Sequence, residues 1–344
     1  MRANVGAGPS PTDEPNFALP PSTPTVRQFR GGASNLTYLL TFADGNKLVL
    51  RRPPAGYKAA SAHDMGREVA IQLALKPSFG LTPRIYGYCS DELVIGSEFY
   101  VMEYLDGVVP RASGGAAGAA RVDISPAEAR TLAETFVNEW ARLHALSPEA
   151  VGLDKLHKGP GYVQRQVTGW SSRYQAAHTD DVPTGDRVIA WLQANAPGDS
   201  GVSVIHNDWR FDNMVFDFGR GPRLVGVLDW ELATVGDPLM DIGSSLAYWV
   251  EPTDDDAFKS FRRQPTDIEG MPTRDELVAM YAAASGRPID DWVFYQVFGL
   301  FRLAGIVQQI WFRYRRGETT NPAFKQFGLA TNMLINRAES LIGL

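Results

Sequence analysis

Residues 204–241 read VIHNDWRFDNMVFDFGRGPRLVGVLDWELATVGDPLMD, and this stretch decides the reading of the chain. The apolar pair Val204-Ile205 runs into His206-Asn207-Asp208-Trp209-Arg210-Phe211-Asp212-Asn213, which has the form H-x-D-x-x-x-x-N. Asp208 follows a strand end, where a carboxylate can project into a cleft. By Asn213 the chain has turned back, and that side chain can offer an amide oxygen to a metal. Asp229 closes a second apolar strand over 224–228. Moving a phosphoryl group from ATP to a hydroxyl needs such a set: one carboxylate to orient and deprotonate the hydroxyl, and two oxygen ligands for Mg2+. Asp and Asn are common in loops for turn chemistry alone, so the motif in isolation carries little. Its weight comes from order, because a Gly-rich hairpin, a basic strand and a helix bearing a glutamate precede it.

Working outward, residues 26–30, 37–42 and 47–51 read as strands. The first two flank a turn over 31–35, and Asp44-Gly45 marks a hairpin turn before the third. Residues 63–75 carry helical apolar spacing, and 85–89 and 99–104 are apolar and β-rich. Downstream, Ser125-Pro126-Ala127-Glu128 is a capping box with proline at the first helical position. The helix it starts places Leu132, Phe136, Trp140 and Leu143 on one face, and His144 is expected as a core histidine with a fixed hydrogen-bond partner. Further helices are expected over 186–196, 242–250, 274–284, 291–313 and 322–342. Asp237 and Asp241 are expected to cap and brace the helix that follows them. The pattern is an α+β chain, a small antiparallel β lobe with one helix and then a larger, mainly helical lobe. The divisions read as a flexible leader over 1–25, a nucleotide-binding lobe over 26–106, and a catalytic and substrate lobe over 107–344. Residues 112–120, ASGGAAGAA, read as a flexible insertion.

Composition narrows the class. The chain has 344 residues, 44% apolar and 21% charged, with a net charge of −6. An acidic balance argues against nucleic acid or an anionic membrane as the main partner. Cys89 is the single cysteine, so no internal disulfide forms, and it is expected as a small buried residue. The apolar run 293–312 contains Arg302 and three glutamines. A mid-span charge is costly in lipid, so a buried core helix is expected there. The proline-rich start has no apolar signal segment. Together with the need for ATP, this gives a cytoplasmic expectation.

The stretches FRGGASNLTYLL, LVLRRPP, SEFYVMEYLDG, HNDWRFDN and LDWELATVGDPLMDIG together resemble the aminoglycoside phosphotransferase and choline kinase group. These are small-molecule kinases with a protein kinase-like bilobal fold. Within the group the chain is most similar to the branch fused to acyl-CoA dehydrogenases in animals and free-standing in bacteria. The resemblance implies an ATP- and Mg2+-dependent transfer to a hydroxyl of a small molecule. Asp208 takes the place of the catalytic base, and Arg210 that of a basic residue touching the transferred phosphate. Asn213 and Asp229 take the places of the magnesium ligands. Gly31, Gly32, Ser34 and Asn35 match the loop over the ATP phosphates, while Arg51 and Glu68 match a strand lysine and its helix partner. Glu103, Tyr104 and Leu105 match the hinge that meets adenine.

Three departures stand out. Arg51 replaces lysine, Asn207 replaces a usual glycine, and Trp230-Glu231 follows the second aspartate. Trp230 is open to two readings, packing or the shape of the acceptor pocket, and Glu231 to one near the metals or a cationic acceptor. The acceptor expected from the branch is a hydroxyacyl-CoA or a related metabolite. Alternatives are an aminoglycoside-inactivating kinase, which would need a strongly acidic pocket, and a nucleotide-binding pseudokinase or regulatory module. A protein kinase fits less well, since Gly236-Asp237-Pro238 follows Asp229 almost at once and leaves no long activation loop.

Overall fold

A computed structural model of the chain describes residues 22–29, 35–54, 64–112 and 123–344. Gly31, Gly32 and Ser34, nearly all of the leader, and most of the small-residue stretch lie outside the described residues. In chain order the elements are β1 (Thr25–Gln28), β2 (Leu36–Thr41), β3 (Lys47–Arg52), α1 (Met65–Phe79), β4 (Ile85–Cys89), β5 (Phe99–Glu103), α2 (Pro126–His144), α3 (Tyr162–Ala176) and α4 (Asp186–Ala194). Then come β6 (Ser203–Ile205), β7 (Met214–Asp217), β8 (Arg223–Val227), β9 (Thr234–Gly236), α5 (Pro238–Leu246), α6 (Asp256–Ser260), α7 (Arg274–Ser285), α8 (Trp292–Arg315) and α9 (Phe327–Leu341). The α+β order expected from the sequence is what the structure has.

The chain forms two compact units. The first holds the described residues up to 109 together with Met214–Ala233. Its antiparallel sheet has the order β1-β2-β3-β5-β4. Inward residues Val49, Tyr100 and Met102 pack on Met65 and Val69 of α1. Asp64 caps α1 by accepting from the Arg67 N–H at 2.8 Å. The β7–β8 hairpin joins this unit through the pairing of Val108 with Phe216 and the bond from the Val227 N–H to the Leu81 carbonyl at 2.8 Å. Cys89 departs from expectation. It closes β4, an edge strand, and is partly exposed.

The second unit is mainly helical. Its core stacks aromatic rings from α2 against the loop after β6, with the Trp140 and Trp209 rings 6.0 Å apart and nearly parallel. Asp237 caps α5, accepting from the Leu239 and Met240 N–H groups at 2.9 and 3.1 Å, with Pro238 at the first position. The helix therefore starts four residues before the expected position 242. Helix α3 was not expected at all. Its first N–H groups, at Gly161, Tyr162 and Val163, donate to Asp199 at 2.7, 3.0 and 3.0 Å, so its cap comes from a distant residue.

Helix α8 covers the apolar run. It is the one helix among the described residues long and apolar enough to cross a membrane, and 61% of its apolar window is buried within the protein. Its crossing with α5 is backbone on backbone. A Cβ on Gly299 would stand 1.9 Å from the Gly243 carbonyl oxygen. Gly299→Ala is therefore expected to destabilise by about 1–3 kcal/mol despite alanine's better helix propensity, read as a lower urea midpoint at unchanged m-value.

Candidate active site

Each unit carries its own group of the sequence-predicted residues. In the helical unit the group is built on the loop after β6. Asn207 adopts φ 64°, left-handed. Asparagine tolerates that region better than most residues, which explains why it serves where a glycine is usual. The turn is held by Asp241. Its carboxylate accepts from the His206 N–H at 3.0 Å, the Asn207 N–H at 2.7 Å and the Trp140 indole at 3.1 Å, and pairs with His144 Nε2 at 3.0 Å. The other nitrogen of His144 meets the Tyr281 hydroxyl at 2.7 Å, so His144 is the core histidine expected, with both partners fixed. Asp241 had been expected to brace its own helix. Its side chain turns instead to the loop, because that is where unpaired backbone donors are buried. Burial pushes its carboxyl up, but the bonds and charge of His144 and the Trp140 donor outweigh this and hold it below the usual range.

Asp208 sits at the head of the loop. Its N–H donates to His206 Nδ1 at 3.2 Å. Asn213 donates from Nδ2 to the Asp208 carbonyl at 2.9 Å and to Oδ2 at 2.7 Å. Arg210 approaches the same carboxylate with Nε at 2.9 Å from Oδ1, and it donates from Nη2 to Oδ2 at 3.0 Å. Burial alone would raise the Asp208 carboxyl. The charges of Arg210 and His206, the Asn213 hydrogen bond and the charge of Arg302 outweigh it, so Asp208 is held below the usual carboxylate range and is ionised. Arg302, a buried residue of α8, donates to the Asn207 carbonyl at 3.0 Å. The sequence marks Arg302 as a charge in an apolar run and as one of several arginines suited to an anionic ligand, but not as a partner of this loop. An arginine buried in such a run was the signal that it has a fixed partner.

The sheet unit carries the second group. Arg51 lies opposite Tyr100 in the β3–β5 pairing. Its Nη1 is 3.4 Å from Glu68, and its Nη2 contacts Asp229 and lies 3.3 Å from Glu231. The Tyr100 hydroxyl donates to Glu68 at 2.8 Å. Burial works against the Arg51 charge, yet Asp229, Glu68 and Glu231 hold its pKa well above its usual value. The strand arginine and helix glutamate thus meet, and the arginine's fork reaches two further carboxylates, which a single ammonium could not do in the same way.

Asp229 is itself left-handed, with φ 65°, and its side chain is one-third exposed. Asn35 donates to Glu231 at 2.7 Å, and Arg67 donates to the Glu231 carbonyl at 2.9 Å. Trp230 is fully buried, edge-on to Phe79, and donates to the Val227 carbonyl at 2.9 Å. Of its two readings the geometry fits packing, since no part of the ring is open to a substrate.

The residues expected to form the hinge, Glu103, Tyr104 and Leu105, lie at and just after the end of β5. The Glu103 N–H donates to the Arg84 carbonyl at 2.8 Å, and its carboxylate accepts from the Arg84 N–H at 3.0 Å. Lys47 Nζ lies 5.1 Å over the Tyr104 ring, and Leu105 packs on the backbone at Gly226.

The donor chemistry can be tested for a metal. Asn213 directs its amide donors at Asp208, which leaves its oxygen to offer. Asp229 is partly open and anionic. No group of three or more His, Cys, Asp or Glu suited to a metal exists among the described residues. Either oxygen by itself is of the kind that suits Mg2+, which is held through one or two protein oxygens plus phosphate and water.

The sequence profile of the phosphotransferase enzyme family matches residues 25–292. Mouse acyl-CoA dehydrogenase family member 10 is 34% identical over 316 residues, covering 90% of this chain and 28% of that protein. Human acyl-CoA dehydrogenase family member 11 is 34% identical over 303 residues, covering 87% of this chain and 38% of that protein. The chain therefore spans less than half the length of these relatives. Among solved structures, a candidate aminoglycoside phosphotransferase from Ralstonia eutropha is 30% identical with a TM-score of 0.74, and 94% of each chain is covered.

Two outcomes check this geometry. Asp241 has a depressed folded pKa, so its contribution to stability is present above about pH 4, the unfolded value, and is lost as pH falls through the folded value. Asp241→Asn is expected to lower the melting temperature at pH 7 and to flatten its fall at acid pH, followed by calorimetry across pH. Arg51→Lys keeps one charge but not the fork. It is expected to lower kcat about tenfold or more, as seen for groups that orient catalytic charges, with the fold retained by circular dichroism.

Proposed function

The chain belongs to the phosphotransferase enzyme family and is a small-molecule kinase, and from that premise we propose that it transfers the γ-phosphoryl group of ATP, with Mg2+, to a hydroxyl of a small anionic acceptor. A hydroxyacyl-CoA or a related metabolite is the acceptor this reading favours. The observation that carries it is the charge around the base. Asp208 is flanked by Arg210 and Arg302, and Arg263 lies 3.6 Å from the neighbouring Asp212. A polycationic aminoglycoside would meet like charge there, whereas a carboxylate or phosphate on the acceptor would be attracted. The acyl-CoA dehydrogenase relatives lend support from a separate direction.

In this reading Asp208 accepts the hydroxyl proton. Its depressed pKa keeps it ionised at neutral pH, and its hydrogen bond from Asn213 fixes its orientation. Arg210 neutralises negative charge developing on the transferred group. Asn213 and Asp229 would each offer an oxygen to Mg2+, which when bound screens the phosphates from the incoming nucleophile. Arg51 keeps Asp229 and Glu231 oriented through its ion pairs.

The test is ADP release with ATP and Mg2+ against a panel holding aminoglycosides, choline, sugars, homoserine and hydroxyacyl-CoAs. Asp208→Asn serves as the blank and is expected to lower kcat by about 10²–10⁴-fold. Turnover of the anionic acceptors that disappears in the blank and on chelation is the expected result. Efficient turnover of aminoglycosides with none of hydroxyacyl-CoAs would refute the acceptor class.

A further inference from the structure

Arg210 is held on more sides than its ion pair with Asp208 requires. It is buried, and one edge of the guanidinium faces the Asp208 carboxylate through Nε and Nη2. The same Nε lies 3.4 Å from Asp212. The guanidinium carbon lies over the ring of Tyr248, 4.4 Å from its centroid. Tyr248 stands on the turn just after α5, where its N–H donates to the Ser245 carbonyl at 3.0 Å. That turn is tied to the catalytic loop by one side chain. Gln264 donates to the Tyr248 carbonyl at 3.3 Å and accepts from the Phe211 N–H at 2.8 Å.

A guanidinium has two kinds of surface. Its edge makes in-plane hydrogen bonds, and its face is attracted to the negative face of an aromatic ring. When one carboxylate fixes the edge and one ring fixes the face, translation and rotation are both restrained. The guanidinium then has a defined orientation. A cation held this way needs no reorganisation when negative charge develops beside it, which is the condition for strong electrostatic stabilisation.

We propose that Tyr248 is a positioning residue for phosphoryl transfer, acting through its ring face on Arg210 so that the guanidinium is aimed before the acceptor and nucleotide arrive. The proposal rests on the role given to Arg210 above. The phenol itself is not the acting group. Burial pushes the Tyr248 hydroxyl up against the influence of Arg210, so the ring stays neutral at working pH. Phenylalanine should therefore serve nearly as well, and the strength of the ring's negative face should set the effect.

The test replaces Tyr248 with phenylalanine and with a ring-trifluorinated phenylalanine of nearly the same shape, in the full chain. Because shape is conserved, both variants are expected to keep the wild-type melting temperature. Tyr248→Phe is expected to retain kcat. The fluorinated ring, whose negative face is cancelled, is expected to lose about tenfold in kcat at unchanged KM for ATP. Arg210→Ala alone should lose about 100-fold or more, and adding the fluorinated ring to it should cost nothing further, since two residues acting as one unit are non-additive.

Crystal structures of the two ring variants give a readout that does not depend on turnover. Arg210 should stay on Asp208 and the ring in the phenylalanine form and leave the ring in the fluorinated form. A fluorinated variant as active as the phenylalanine one, a loss that persists in the Arg210→Ala background, or a guanidinium that does not move would overturn the proposal. Full activity of Arg210→Ala by itself would overturn the reading beneath it.

Discussion

The arrangement depends on one buried carboxylate. Asp241 takes hydrogen bonds from two consecutive backbone N–H groups of the loop after β6, from an indole, and from a histidine. Those backbone donors sit in a left-handed turn that cannot pair with a sheet, and leaving one buried without a partner costs about 1–3 kcal/mol. The carboxylate removes that cost and in the same act sets the direction in which Asp208 points. His144, Tyr281 and Trp140 hold the carboxylate from behind. Arg302 closes the other side of the turn through the Asn207 carbonyl. The loop that carries Asp208 is thus held in place by a residue 33 places further along the sequence.

The sheet unit solves a similar problem with the opposite charge. Three carboxylates, Glu68, Asp229 and Glu231, converge on the single guanidinium of Arg51. Burying several acids around one base is costly unless further positive charge is at hand. Arg67, which also binds the Glu231 and Ala233 carbonyls, supplies some of it.

Much of this was legible in the sequence because the decisive signals are local. The H-x-D-x-x-x-x-N loop, the hairpin ending in Asp229 and the capping box at Ser125 each rest on residues a few positions apart. What was not legible depends on tertiary partners. Helix α3 begins after Gly161 and takes its cap from Asp199, so no local start signal marks it. Asp241 lies in α5, but its carboxylate serves the loop after β6, a partnership no local pattern records. Tyr248 carries no motif, and its relation to Arg210 arises only when the turn after α5 meets the loop after β6. Cys89 is partly exposed because its strand lies at the sheet edge, a matter of topology that its local sequence does not record.

The most direct test of this account is native-state hydrogen exchange at the His206 and Asn207 amides, in the wild type and in Asp241→Asn. An asparagine cannot accept on both sides, so its amide group must face at least one of the loop's donors. The account predicts strong protection of both amides in the wild type, and fast exchange in the variant while the amides of α2 and α7 stay protected. Equal protection of the two loop amides in both proteins would contradict it, since the loop would then hold its shape without the carboxylate.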